Sequence, residues 1–159
     1  MTDIHLDALD RAILKALSED GRQSQVQLAE RVPLSPTAVA RRIKALEDAG
    51  VIEGFEARIS KKALGLSMRI ILHITLTSQN VDLLAQFEKA ITACPSVVSC
   101  HLVSGEDDYI VVVLARDLAD FEMIHKQQLS RLPGVTKLHS SFALREVVNR
   151  ALPPSSLKL

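Results

Sequence analysis

The sequence has little of what marks a secreted, membrane-bound or metal-dependent protein. It holds two cysteines, Cys94 and Cys100, in 159 residues, too few for a disulfide framework. It shows no N-terminal signal and no long apolar span, so the expected compartment is the reducing cytoplasm and no membrane partner is expected. Cys94, Cys100 and the adjacent His101 match no familiar zinc spacing, and small half-buried thiols explain them better than a metal. His73, His101, His125 and His139 likewise fall into no nucleophile–base or metal-ligand pattern, so neither an enzyme nor a bound cofactor is expected. Net charge is absent too, since 19 Lys and Arg balance 19 Asp and Glu, and the pI is about 7.0. Such a chain does not coat nucleic acid by bulk electrostatics; any DNA binding must rest on charge held locally.

What is present is an ordinary folding composition, 47% hydrophobic and 24% charged, suited to one domain or two small ones. One stretch is strongly patterned. From Leu34 to Gly50 the chain reads LSPTAVARRIKALEDAG. Ser35 is a good N-cap, Pro36 fits the first helical position, and Gly50 suits the left-handed position after a helix. Val39, Ile43 and Leu46 form a narrow apolar stripe, with Thr37, Arg41, Arg42 and Lys44 pointing away from it. Residues 36–46 carry three cations and no acid, a local charge of +3 in a neutral chain. A solvated surface helix fits that segment equally well in isolation. Upstream, however, Gln25 to Val32 reads as a short helix with Val26, Leu28, Ala29 and Val32 inward, and only Pro33 and Leu34 separate it from Ser35. A short helix, a tight turn and a capped basic helix predict a helix-turn-helix whose basic helix faces a DNA major groove.

In chain order, a first helix is expected from about Leu6 to Leu17, with Leu6, Leu9, Ile13, Leu14 and Leu17 on one face and Asp7 or Asp3 as its cap. Ser18 to Ser24 turns around Gly21 into the two helices above. Val51 to Ile59 alternates loosely around Gly54 and is expected as a short strand or wing, with Arg58, Lys61 and Lys62 adding charge nearby. The pattern changes at Ser60 to Leu66, which places a domain boundary near residue 62: residues 1–62 for DNA binding with a linker, and residues 63–159 for a second domain. There Met68–Thr77 reads as a strand and Asn80–Ala93 as a helix with Val81, Leu84, Phe87, Ala90 and Ile91 inward. Val97–Ser104 is a strand, Gly105–Asp108 a tight hairpin and Tyr109–Ala115 a strand. Asp117–Leu132 is a helix with Leu118, Phe121, Ile124 and Leu129 on its face, and Val135–Val147 is the last strand region.

The resulting β-α-β-β-α-β order is the split βαβ of a ferredoxin-like sandwich, so the chain as a whole is α+β. An internal echo supports it: the segments Cys94 to His101 and Leu132 to His139 each end a helix, stop it with proline and begin a strand. Helices cover only one face of such a sheet. The other still carries Ile71 and one of the two apolar sets of Tyr109–Ala115, and exposed apolar surface of that kind marks an interface. A dimer through this domain is expected, which would set two recognition helices about one DNA turn apart.

The run LDALDRAILKALSEDGRQSQVQLAERVPLSPTAVARRIKALEDAGVIEGFEARISKKALG, followed by SGEDDYIVVV and LPGVTKLHSSFALREV, resembles the Lrp/AsnC (leucine-responsive) transcriptional regulators over about Leu6 to Leu152. The resemblance implies a winged helix-turn-helix joined to an effector-sensing βαββαβ domain, the RAM domain. It also implies dimers, with further assembly to tetramers or octamers among family members, and amino acids bound between neighbouring subunits. It puts DNA contacts on Ser35, Pro36, Thr37, Ala38, Arg41, Arg42 and Lys44. Ser35 and the helix N-terminus suit a phosphate, Arg41 a guanine edge, and Lys44 or Arg42 the backbone; the stem of Arg42 has packing within the domain as its alternative. It puts the effector on Ser104, Gly105, Glu106, Asp107, Asp108 and Tyr109, with Ser140 and Ser141 in the last strand. Backbone N–H groups at the glycine turn suit a carboxylate and a nearby acid, Asp108 above all, suits an ammonium; a plain hairpin turn uses the same residue types. Pro33 departs from the glycine or polar residue common at this turn in the family. The expected function is a sequence-specific regulator acting on double-stranded DNA and tuned by an amino acid. The alternative is an architectural DNA-binding protein without an effector, against which the neutral charge counts.

Overall fold

The computed structural model describes residues 5–150, 152, 153 and 155–157. The chain divides into two compact units, Met1–Arg58 with Val148–Leu159, and Ile59–Val147.

The first unit holds three helices, α1 (Ala8–Glu19), α2 (Gln25–Arg31) and α3 (Pro36–Asp48). Each is started by a side chain that accepts a backbone N–H of its first turn: Asp7, Ser24 and Ser35. In α1 and α2 the cap is reciprocal, Asp10 and Gln27 bonding back to the cap residue's own N–H. Asp3, the other candidate cap, lies outside the described residues. Helices this short are marginal alone, and a shared core of Ile13, Ala16, Leu28, Val32 and Val39 holds them, flanked by Ala12, Leu17, Ala29, Leu34 and Ile43. Val26 is exposed rather than inward, because two residues of helical rotation carry it away from Leu28. After Asp48 the chain turns through Gly50, at φ 70°, and the N–H groups of Val51 and Ile52 both donate to the Leu46 carbonyl, at 2.8 and 3.1 Å. The strand expected over Val51–Ile59 is absent: no other described strand pairs with this segment, which is exposed from Glu53 onward.

The second unit contains β1 (Met68–Leu76), α4 (Val81–Thr92), β2 (Val97–Leu102), β3 (Tyr109–Ala115), α5 (Leu118–Gln127) and β4 (Val135–Phe142). The sheet order is β2-β3-β1-β4 with every neighbouring pair antiparallel, the ferredoxin-like arrangement. Ile70, Leu72, Ile74 and Leu76 of β1 and Tyr109, Val111, Val113 and Ala115 of β3 form one buried face, packed with Phe87 and Ile91 of α4 and Phe121 and Ile124 of α5. Val81 and Leu118 are exposed; each is the first residue of its helix, and the packing stripe begins a turn later. α5 ends at Gln127 and gives way to a 3-10 turn over Leu129–Arg131, and the last strand ends at Phe142, short of the Val147 expected.

Candidate functional site

α3 presents its start and one flank outward. Ser35 Oγ accepts the Ala38 N–H at 3.3 Å; Ser35, Pro36 and Thr37 are exposed and Ala38 is half-buried. Arg41 is exposed, and its side chain makes no hydrogen bond or ion pair among the described residues. Lys44 is 75% exposed, its Nζ 3.2 Å from Asp48 Oδ1, a surface pair that is readily given up for a phosphate. Arg42 is different. Its Nη1 lies 2.8 Å from Asp7 Oδ2 and 2.7 Å from Asp10 Oδ1, so the outward charge of α3 comes from Arg41 and Lys44, and the phosphate role expected for Arg42 competes with a bond to α1. The hydrogen bonds that Arg42 donates to Asp10 and Asp7 raise the guanidinium pKa, while the Asp10 N–H, ahead of Arg42, holds the Asp7 carboxyl below its usual range.

The second cluster is the turn joining β2 to β3. Val103 N–H donates to the Asp108 carbonyl and Asp108 N–H to the Ile74 carbonyl, each at 2.9 Å. The Asp108 side chain, 5% exposed, accepts the Leu76 N–H at 2.7 Å and Gln79 Nε2 at 2.6 Å. The residue expected to meet an ammonium group is thus buried and braces the hairpin to the end of β1, one donor on each carboxylate oxygen. Asp107 Oδ2 lies 2.8 Å from His73 Nδ1, and the His73 ring stands 5.9 Å from that of His139, its register partner on β4. Tyr109 belongs to the core: its ring packs 4.4 Å from Phe87, its hydroxyl donates to Glu88 Oε1 at 2.8 Å, and burial, with Glu88 next, raises its pKa. What remains open is Ser104, Gly105 and Glu106, all exposed. The N–H groups of residues 104–107 donate to no described residue and are left to solvent or a ligand.

Ser140 and Ser141 are not brought to this turn. They pair with Leu72 and Ile71, roughly 10 Å along the strand from the hairpin at about 3.4 Å per residue. They also face opposite ways: Ser140 lies opposite buried Leu72, and Ser141 lies opposite Ile71 on the open face. That face carries Ile71 and His73 from β1 and Ile110, Val112 and Leu114 from β3, all half-buried. Reading the sequence missed Asp10, Gln79 and the His73–Asp107 pair; only Asp7-x-x-Asp10, with the spacing of a reciprocal cap, left a local signal. Among the described residues, no three side chains gather as metal ligands, and no helix is long and apolar enough to cross a membrane.

Residues 6–53 match the family described as winged helix-turn-helix DNA-binding, and residues 69–153 match the Lrp/AsnC ligand binding domain. The chain is 39% identical over 149 residues to the Bkd operon transcriptional regulator of Pseudomonas aeruginosa, covering 94% of this chain and 97% of that one. It is 37% identical over 142 residues to the leucine-responsive regulatory protein of Escherichia coli K12, over 89% of this chain and 87% of that one. A transcriptional regulator from Neisseria meningitidis, solved as a complex with L-Met, superposes with a TM-score of 0.90 at 33% identity, over 97% of this chain and 100% of the other. With a helix-turn-helix and a ligand-binding sandwich in the same order and matched nearly end to end, the chain belongs to the Lrp/AsnC family of transcriptional regulators.

Proposed function

We propose that the chain controls transcription in the cytoplasm as a dimer, with α3 reading DNA and a free amino acid at the β2–β3 turn adjusting DNA binding or assembly. On the DNA side, Ser35, Pro36, Thr37 and Ala38 bring the positive end of α3 to a phosphate, Arg41 meets a guanine edge and Lys44 holds the backbone. On the effector side, the observation that carries the reading is the run of free N–H groups at residues 104–107. Ser104 and Gly105 offer it to an α-carboxylate, and Glu106 supplies the acid for the ammonium. Asp107, Asp108 and Tyr109 hold the turn in shape. Ser140 and Ser141 stand too far along β4 to join the same ligand within one chain.

The effector is an amino acid with an apolar side chain, methionine or leucine being the first to test, given the L-Met bound by the Neisseria relative and the name of the Escherichia coli one. The open sheet face, with Ile71, Ile110, Val112 and Leu114, supports dimerisation through the second unit, and further assembly to tetramers or octamers would bring turns from several subunits together. An amino acid acts on such a system only by binding one assembly more tightly than another. No catalytic step is required of it.

The test is thermal melting of the purified chain with each of the twenty amino acids, followed by titration calorimetry of those that respond. One or a few apolar amino acids should raise the melting temperature, and Glu106→Ala should remove the response while leaving the unliganded melting temperature within about 2 °C, as for most surface substitutions. If no amino acid shifts melting, with or without DNA, the effector reading fails and the architectural alternative gains.

A further inference from the structure

We infer that Arg42, clamped between Asp7 and Asp10 of α1, is a positioning residue for DNA recognition: it fixes the roll of α3 about its own axis and thereby the direction of Arg41. The inference rests on α3 being the reading helix.

The clamp is a closed network. Asp7 Oδ1 accepts the Asp10 N–H at 2.8 Å and Asp10 Oδ2 accepts the Asp7 N–H at 3.2 Å. The remaining oxygen of each carboxylate accepts from the same Arg42 nitrogen, at 2.8 and 2.7 Å. Both acids are at home at the start of α1, where the helix dipole favours negative charge whatever Arg42 does. They form a fixed anchor, and Arg42 is the part of α3 that reaches it.

The apolar packing of α3 leaves this job open. Its two most buried side chains, Val39 and Leu46, are seven residues apart and at about 100° per residue lie nearly on one line along the helix, with half-buried Ile43 close beside it. So narrow a stripe resists tilt better than rotation, and the surface α1 offers includes the small side chains of Ala12 and Ala16. Arg42 sits to one side of that line, where a bond opposes roll. Arg41, the preceding residue, projects about 100° further round, so any roll of α3 carries it along. An arginine tip lies roughly 6 Å from the helix axis, so a 20° roll would move it about 2 Å, enough to break a hydrogen bond to a base.

The acids give the inference a sign that separates it from a direct charge effect. Two carboxylates near a DNA-facing helix repel phosphate, so neutralising them would strengthen binding if charge alone mattered. If they anchor α3, neutralising them weakens recognition.

The experiment compares the full chain with Arg42→Gln, Arg42→Lys, the pair Asp7→Asn with Asp10→Asn, and the triple variant. Each is titrated with the operator selected by the unsubstituted chain and with a random duplex over a salt series, after circular dichroism has shown it folded. Arg42→Gln should lose about five- to a hundredfold at the operator, the worth of one good base contact. Random-duplex affinity and the salt slope should stay unchanged, because no phosphate contact is lost. The double Asn variant should show the same operator-specific loss, the triple should be no worse than Arg42→Gln, and Arg42→Lys should recover part of it. Should Arg42→Gln fail to fold, the Arg42→Lys and double Asn chains carry the same comparison. Equal weakening on both duplexes with a salt slope lower by about one would make Arg42 a phosphate contact and overturn the inference; tighter binding by the double Asn variant, or an unchanged operator affinity in all variants, would overturn it too. If the unsubstituted chain itself shows no site preference, the reading of α3 falls and the inference with it, an outcome distinct from loss of preference in the variants alone.

Discussion

Replacing Asp108 with alanine should destabilise the second unit markedly, whatever it does to a ligand. The carboxylate is 5% exposed and accepts from the Leu76 N–H and from Gln79 Nε2 at 2.7 and 2.6 Å. Alanine leaves the Leu76 N–H with no acceptor in a buried position, whereas Gln79, being exposed, turns to water at little cost. Hydrogen bonds to a charged partner contribute about 1.5–3 kcal/mol each and a buried orphaned donor costs about 1–3 kcal/mol, so the total loss is about 2–4 kcal/mol. For a domain of about 90 residues this lowers the melting temperature by roughly 10–25 °C. Asp108→Asn keeps an oxygen for the Leu76 N–H and should cost only about 1 kcal/mol. Thermal and urea unfolding of the full chain, followed by far-ultraviolet circular dichroism, measures both. An Asp108→Ala chain that melts with the unsubstituted one yet no longer responds to an amino acid would refute the brace and return Asp108 to the ligand.

Three further expectations follow from the same structure. Gly134 has φ 71°, and a Cβ there would lie 2.6 Å from the Leu83 side chain; Gly134→Ala should cost about 1–2 kcal/mol in urea unfolding, from left-handed strain plus displacement of Leu83. Burial raises the Cys94 thiol pKa, and burial with Glu88 raises that of Cys100, so iodoacetamide at pH 7 should modify the native chain more slowly than the urea-unfolded chain. The folded-state pKa of Asp7 is lowered, so its contribution to stability is present above the unfolded carboxylate value near 3.9 and is lost as pH falls through the lower folded value. Operator affinity attributable to the Arg42 clamp should therefore be flat from about pH 8 to pH 5; a decline within that range, measured with Arg42→Gln as the reference, would contradict the assignment.

The starts of the helices were legible because their signals are local. Asp7, Ser24, Ser35, Asn80 and Asp117 each cap the helix that follows, and the free energy of a cap depends on three or four consecutive residues. β3 was legible to the residue, Tyr109–Ala115, because an apolar run between a glycine turn and Arg116 has one plausible fate. What the sequence hid depends on pairing across distance. Arg42 looks like its neighbours Arg41 and Lys44 until α1 is placed beside it, 35 residues from Asp7. Asp108 looks like any acid in a polar turn until the register of β1 delivers the Leu76 N–H to it. Ser140 and Ser141 read alike as adjacent serines, and only the β1–β4 register shows that they face opposite sides of the sheet. The strand over Val51–Ile59 did not form for a related reason: loose alternation is compatible with a strand, but a strand exists only where a partner takes its hydrogen bonds.

The most direct measurement is selection of genomic DNA fragments by the purified chain, sequenced with and without a mixture of the twenty amino acids. The expected result is enrichment of a two-fold symmetric site with half-sites about one helical turn apart, with its recovery changed by the amino acids. Uniform recovery of fragments under both conditions would contradict site-specific, effector-tuned regulation.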